Sequence, residues 1–116
     1  MIKLSELFKN QKPEEIKVDF VIKTGSEVVA TVKDKYRCEI MNTATEGGWY
    51  MDTPVKVYCS CPDFQFRWAY VLDKYKALLH PEQFVLEPPK ERNPGMKTGA
   101  CKHLAAVARK LVEKNK

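Results

Sequence analysis

Two short motifs set the folding problem for this chain: Cys59-Ser60-Cys61 and, after 39 intervening residues, Cys101-Lys102-His103. Three thiols and an imidazole make a complete tetrahedral donor set for zinc, whose affinity for thiolate sulfur and imidazole nitrogen is strong. A site closed by four protein donors is structural, because a catalytic zinc keeps one position open for water. The competing reading is a set of buried or free cysteines beside an incidental histidine. A Cys59–Cys61 disulfide is disfavoured by the geometry such a bond demands.

The spacing within each pair carries its own geometric demand. Residues i and i+2 on a strand point the same way with Cα atoms roughly 6.6 Å apart, whereas tetrahedral zinc asks for sulfurs about 3.8 Å apart. The strand must therefore bend after Cys61, and Pro62 is suited to impose that exit. Inside a helix, i and i+2 would be about 200° apart around the axis, so both could not face one metal. Cys101 is accordingly expected just before a helix and His103 in its first turn, with Gly99 or Thr98 as cap. The positive end of the helix dipole would favour Cys101 as thiolate.

Hydrophobic periodicity supplies the framework around these motifs. Leu4, Leu7 and Phe8 have helical spacing before Pro13. Ile16, Val18, Phe20 and Ile22 alternate with Lys17, Asp19, Val21 and Lys23, the signature of a half-buried strand. Thr24-Gly25-Ser26 then turns the chain into a second strand over 27–33, giving a hairpin. Tyr36, Cys38 and Ile40 share one face of a third strand. Pro54 opens a fourth, with Val55, Val57, Cys59 and Cys61 on one face. Phe64, Phe66, Trp68 and Tyr70 alternate like a strand, but Phe64, Trp68, Val71, Tyr75 and Leu78 sustain helical spacing for longer. This favours a helix over 64–79 capped by Asp63. Leu104, Val107, Ala108, Leu111 and Val112 follow the template of an amphipathic C-terminal helix. Residues 80–100, with four prolines and two glycines, read mostly as loop.

The fold expected is α+β: a small antiparallel sheet with a C-terminal helix around one structural zinc, plus a helix in the insert. A chain of 116 residues suits one domain. Within it, 14–58 supply the antiparallel strands, 59–107 the zinc-binding region with the long insert 62–100, and 108–116 the basic helix end. Apolar runs do not exceed five residues (Trp68 to Leu72, Leu104 to Ala108), far short of the roughly 18 a membrane-spanning helix needs. The opening MIKLSELFKN has no apolar signal core, so a cytoplasmic protein is expected.

The net charge of +5 is concentrated at one end of the chain. Residues 1–89 hold 12 basic and 13 acidic side chains, while 90–116 hold 8 basic and 2 acidic. A basic segment attracts phosphate backbones or acidic protein surfaces, although a solvated helix face and tail accounts for it equally simply. Lys97, Lys102, Arg109, Lys110 and Lys114 are the candidate phosphate contacts. Cys38 reads as a buried structural thiol and His80 as a helix-end histidine. No nucleophile–base pair or open metal site is legible, so no catalytic residues and no small-molecule substrate are expected.

C-x-C closing a strand, followed by C-x-H at a helix start, resembles the SWIM-type zinc finger. That resemblance implies a small strand-strand-helix unit around one zinc held by Cys59, Cys61, Cys101 and His103, with DNA or protein partners. The gap between the pairs is longer here than is usual in that family. The run CSCPDFQFRWAY from Cys59 to Tyr70, together with Pro88-Pro89, Asn93-Pro94-Gly95 and Gly99-Ala100-Cys101-Lys102-His103-Leu104, is similar to long-insert SWIM proteins of tailed bacteriophages. This implies a virion or structural role. Two functions are therefore expected to compete: a zinc-stabilised component of an assembly with protein partners, and a nucleic-acid-binding finger that uses the basic end.

Overall fold

A computed structural model describes residues 2–8, 16–44, 47–84, 86 and 99–114. Five strands, β1 (Ile2–Lys3), β2 (Val18–Thr24), β3 (Glu27–Val32), β4 (Tyr36–Asn42) and β5 (Pro54–Cys59), form one antiparallel sheet in the order β1-β5-β4-β3-β2. In the β2–β5 meander, β3, β4 and β5 follow the alternating pattern of their sequence, and β1 adds at the far edge through Ile2 opposite Val55. A 3-10 turn, Leu4–Leu7, follows β1 and buries both leucines. The C-terminal helix α2 (Lys102–Lys114) lays Leu104, Val107, Ala108 and Leu111 onto the sheet face formed by Val28, Ala30, Val32, Cys38, Ile40, Val55 and Val57. The expected class, an antiparallel sheet with a C-terminal helix, is what forms.

Strand β2 departs from simple alternation. Val18 is opposite Val32, yet Phe20 is opposite Thr31, so Asp19 is an extra residue in the ladder. A one-residue slip exchanges the two faces of a strand. Beyond the bulge it is Val21 that packs against the core, while Ile22, expected on the buried face, is 49% exposed. Asp19 holds the irregularity from both sides: its Oδ2 accepts the Asp34 N–H at 2.5 Å, and its Oδ1 pairs with Lys17 Nζ at 3.1 Å. Asp34 belongs to the β3–β4 turn, where Lys33 and Asp34 both have positive φ.

The insert helix is shorter than expected and differently wound. Helical turns begin at Pro62, pass through a π-helix (Phe64–Trp68) and continue as α1 (Ala69–Lys74), instead of running to 79. Lys76 adopts φ 57°, and the Ala77 N–H reaches the Leu72 carbonyl at 2.8 Å while the Lys76 N–H reaches Asp73 at 3.0 Å. These are the two bonds of a Schellman closure, formed here without glycine. Past this stop the chain docks on β5. The Val57 N–H donates to Ala77 O and the Leu79 N–H donates to Val57 O, both at 2.8 Å. Leu78 is thus a bridge partner of the sheet edge and not a helical residue.

His80 lies beyond the helix and does not cap it. It has φ 55° and ψ 50° ahead of a 3-10 turn, Pro81–Gln83, and its Nε2 is 3.3 Å from Glu39 Oε2. Its ring stands edge-on to Tyr58 at 5.3 Å, in an aromatic group that includes Phe64 and Phe84.

Candidate metal centre

Each half of the centre is placed by an element end. On β5, Val55, Val57 and Cys59 point to the core, and Cys59 is fully buried. The ladder continues one residue past the strand, since the Ser60 N–H donates to Arg37 O at 3.1 Å and the Arg37 N–H donates to Ser60 Oγ at 3.0 Å. The chain then turns into the insert helix. Cys61 Sγ accepts the N–H of Phe64 at 3.3 Å, three residues on, with Pro62 at the first helical position. That is the N-cap arrangement with sulfur in the place of the usual oxygen. Asp63, the expected cap, makes no cap bond and instead pairs with Arg67 at 3.3 Å.

The second half arrives across the insert. Gly99 passes close to Trp68, so that a Cβ added there would lie 3.1 Å from the indole ring. Ala100 and Cys101 follow, both buried. The Cys101 carbonyl accepts the Ala105 N–H at 3.0 Å, which makes Cys101 the residue flanking α2 and puts His103 in the first turn. Of the caps expected from sequence, Gly99 lies two residues before that flanking position, and Thr98 falls outside the described residues.

The consequence is a compact cluster. One donor atom each from Cys59, Cys61, Cys101 and His103 lies within 4.8 Å of all the others, and all four residues are buried. The His103 ring packs against Tyr36 with centroids 4.5 Å apart. Among the described residues neither of its ring nitrogens has a hydrogen-bond partner, although the side chain is buried. A buried imidazole without a partner is costly unless something else satisfies it. Burial holds its pKa below the ordinary 6.5, so the ring is neutral and a nitrogen lone pair is available to a cation. The Cys59 thiol is pulled far down, first by its hydrogen bond with Cys101 and then by those with Cys38 and Cys61. Three sulfur donors, a neutral imidazole and an orphaned nitrogen suit one structural zinc.

One contributor was hidden in the sequence. Cys38 is opposite Cys59 in the β4–β5 register, fully buried, and its thiol donates to Cys59 Sγ at 3.6 Å. Its burial follows from alternation, but its partner follows only from the strand register.

Of the candidate phosphate contacts, Lys102, Arg109 and Lys110 have described side chains. Lys102 and Lys110 are exposed on α2. Arg109 is occupied: its Nη2 donates to Phe8 O at 3.3 Å, and its guanidinium stands 5.3 Å over the Phe8 ring. Lys97 and the side chain of Lys114 fall outside the described residues. The insert aromatics likewise divide, with Phe64 buried, Trp68 and Tyr70 half-buried, and Phe66 and Tyr75 exposed. No described helix is long and apolar enough to cross a membrane.

No curated protein and no solved structure matches the chain. Residues 36–76 match the SWIM zinc finger family model. The match holds β4, β5, the first cysteine pair and the insert helix, while Cys101 and His103 lie beyond it. The chain is thus similar to the SWIM zinc finger over that span, and it joins the span to a Cys-x-His pair in a cluster that fits one structural zinc.

Proposed function

We propose that the chain is a non-enzymatic, zinc-stabilised interaction protein that works as a component of a larger assembly, a phage particle in the reading its sequence resemblance favours. The observation that carries this is the closed, buried set Cys59, Cys61, Cys101 and His103, which joins the sheet to α2 and leaves the metal to act on the fold. Contact with partners falls to the surface: Phe66 is 58% exposed and Tyr75 44%, both on or beside the insert helix. Large exposed aromatics are typical anchors of protein interfaces. Co-purification tests this reading. The tagged, zinc-loaded chain should elute with a defined assembly, and Phe66→Ala should weaken that association while leaving zinc content intact. A chain that remains monomeric beside every candidate assembly overturns it.

Nucleic-acid binding is the second reading. It is supported by Lys102 and Lys110 on the open side of α2 and by Lys33 close enough to act on His103 at the zinc end. Fluorescence anisotropy against single- and double-stranded oligonucleotides decides between the two. A steep loss of affinity with salt, reduced in Lys102→Ala, supports phosphate contacts. Absence of binding at about 50 mM salt removes this reading.

A further inference from the structure

We propose that Cys38 and Cys59 form a latent cross-strand disulfide pair: when zinc is lost under peroxide stress, they join, and the centre is held in a reversible metal-free state. The inference rests on reading Cys59 as a zinc thiolate.

The two residues are directly opposed on β4 and β5. The Ser60 N–H to Arg37 O bond brackets them on one side, and the Val57 backbone groups are turned away from β4 toward Ala77 and Leu79. Cys38 and Cys59 therefore occupy a non-hydrogen-bonded position, where facing side chains come closest. The Cα spacing at such a position, roughly 4.5 Å, lies inside the range that a disulfide spans. The sulfurs already stand 3.6 Å apart, and side-chain rotation closes them to about 2.05 Å.

The alternatives around Cys59 are less favourable. Cys61 is two residues along the same chain, and a bridge to it would strain the turn into the insert helix. Cys101 also lies against Cys59, but it sits on the chain entering α2 and, among the described residues, has no backbone ladder to β5 that fixes it opposite Cys59. Cys38 is outside the four-donor set and keeps its place through the β4–β5 ladder. All four thiols are buried, so the pair is shielded while the metal holds the structure closed.

The chemistry balances with a peroxide as oxidant. The Cys59 thiolate attacks hydrogen peroxide, the O–O bond breaks, and a sulfenic acid forms with release of hydroxide; the sulfur gives up the electron pair. The Cys38 thiol then attacks the Cys59 sulfur, the S–O bond breaks, and water leaves with the thiol proton. Two sulfurs are oxidised by one electron each, one peroxide is reduced, and the zinc ion departs. A thiol reductant reverses the bond and restores the ligand.

The test uses the full zinc-loaded chain. Zinc content of the untreated protein is read first with a chromophoric indicator, which tests the metal reading by itself. The same sample is then treated with hydrogen peroxide in the presence of a chelator, and its cross-links are mapped under non-reducing conditions with fragmentation between Cys59 and Cys61. The expected result is a dominant Cys38–Cys59 link, two remaining titratable thiols, and near-complete recovery of zinc uptake after reduction. Cys38→Ala should show several-fold lower recovery, because its Cys59 proceeds to irreversible sulfinic acid. A dominant Cys59–Cys61, Cys59–Cys101 or Cys61–Cys101 link, four surviving thiols, or equal recovery in Cys38→Ala overturns the proposal. The wild-type map decides the matter even if Cys38→Ala fails to fold.

Discussion

At the scale of single residues, the centre depends on side chains that serve the metal and the backbone at once. Cys61 both supplies a donor and caps the insert helix through the Phe64 N–H, so Cys61→Ser should lose metal while keeping an oxygen cap. Cys101→Ser has no such compensation. It should bring zinc content to near zero and remove metal-linked stability, of order 10 kcal/mol in zinc-finger peptides. Zinc stoichiometry and thermal melting check both variants. Asp19 offers an electrostatic test away from the centre. The Asp34 N–H, its strongest influence, lowers the Asp19 carboxyl below the ordinary 3.8, with Lys17 assisting. The sign follows directly: a depressed carboxyl favours the fold above the unfolded value, and that contribution is lost as pH falls through the folded one. Carbon NMR titration should give a midpoint below 3.8, absent from the spectrum of Asp19→Asn.

At the scale of elements, the two departures from simple periodicity are open to measurement. If the Asp19 bulge exchanges the faces of β2, Val21→Lys should cost about 1–2 kcal/mol, while Ile22→Lys should stay within about 0.5 kcal/mol. Equal effects in denaturant melts would contradict the observed register. The Schellman closure puts a lysine where glycine carries no Cβ penalty. Lys76→Gly should accordingly stabilise by roughly 0.5–1 kcal/mol, read as a higher urea midpoint at unchanged slope. Neither element was legible from spacing alone. Asp19 looks like an ordinary solvent-side residue until Asp34, 15 positions away, donates to it. The helix at 64–79 kept its apolar spacing through Leu78, but the Val57 backbone groups on the open side of β5 bind the chain at 77–79. An edge ladder with unpaired groups outweighs a few residues of helix propensity.

At the scale of the whole molecule, sheet, 3-10 turn, insert and α2 share one apolar cluster, in which Val28 of β3 and Leu104 of α2 are both members. With a shared core, chelation should lower a single cooperative transition, seen together in far-UV circular dichroism and in tryptophan fluorescence, and should not leave the strands at 16–42 folded as a separate sub-core. A chelated sample with an unchanged melting temperature would show that the metal contributes little. Arg109 ties the two ends of the chain through Phe8, and this contact explains why one of the five basic candidates is unavailable to phosphate.

The Cys-x-Cys and Cys-x-His pairs, the antiparallel meander and the amphipathic α2 were legible along the chain, because each rests on local chemistry: ligand type and spacing, period-two alternation, and a 3.6-residue apolar stripe. The placement of Cys101 before α2 and His103 in its first turn was legible for the same reason, since helix geometry forbids the alternative. The break in alternation at Asp19, the stop of the insert helix and the facing of Cys38 by Cys59 were set by long-range packing. Those outcomes depend on which backbone groups meet across the sheet, and contacts between residues far apart in the chain leave no periodic trace in it.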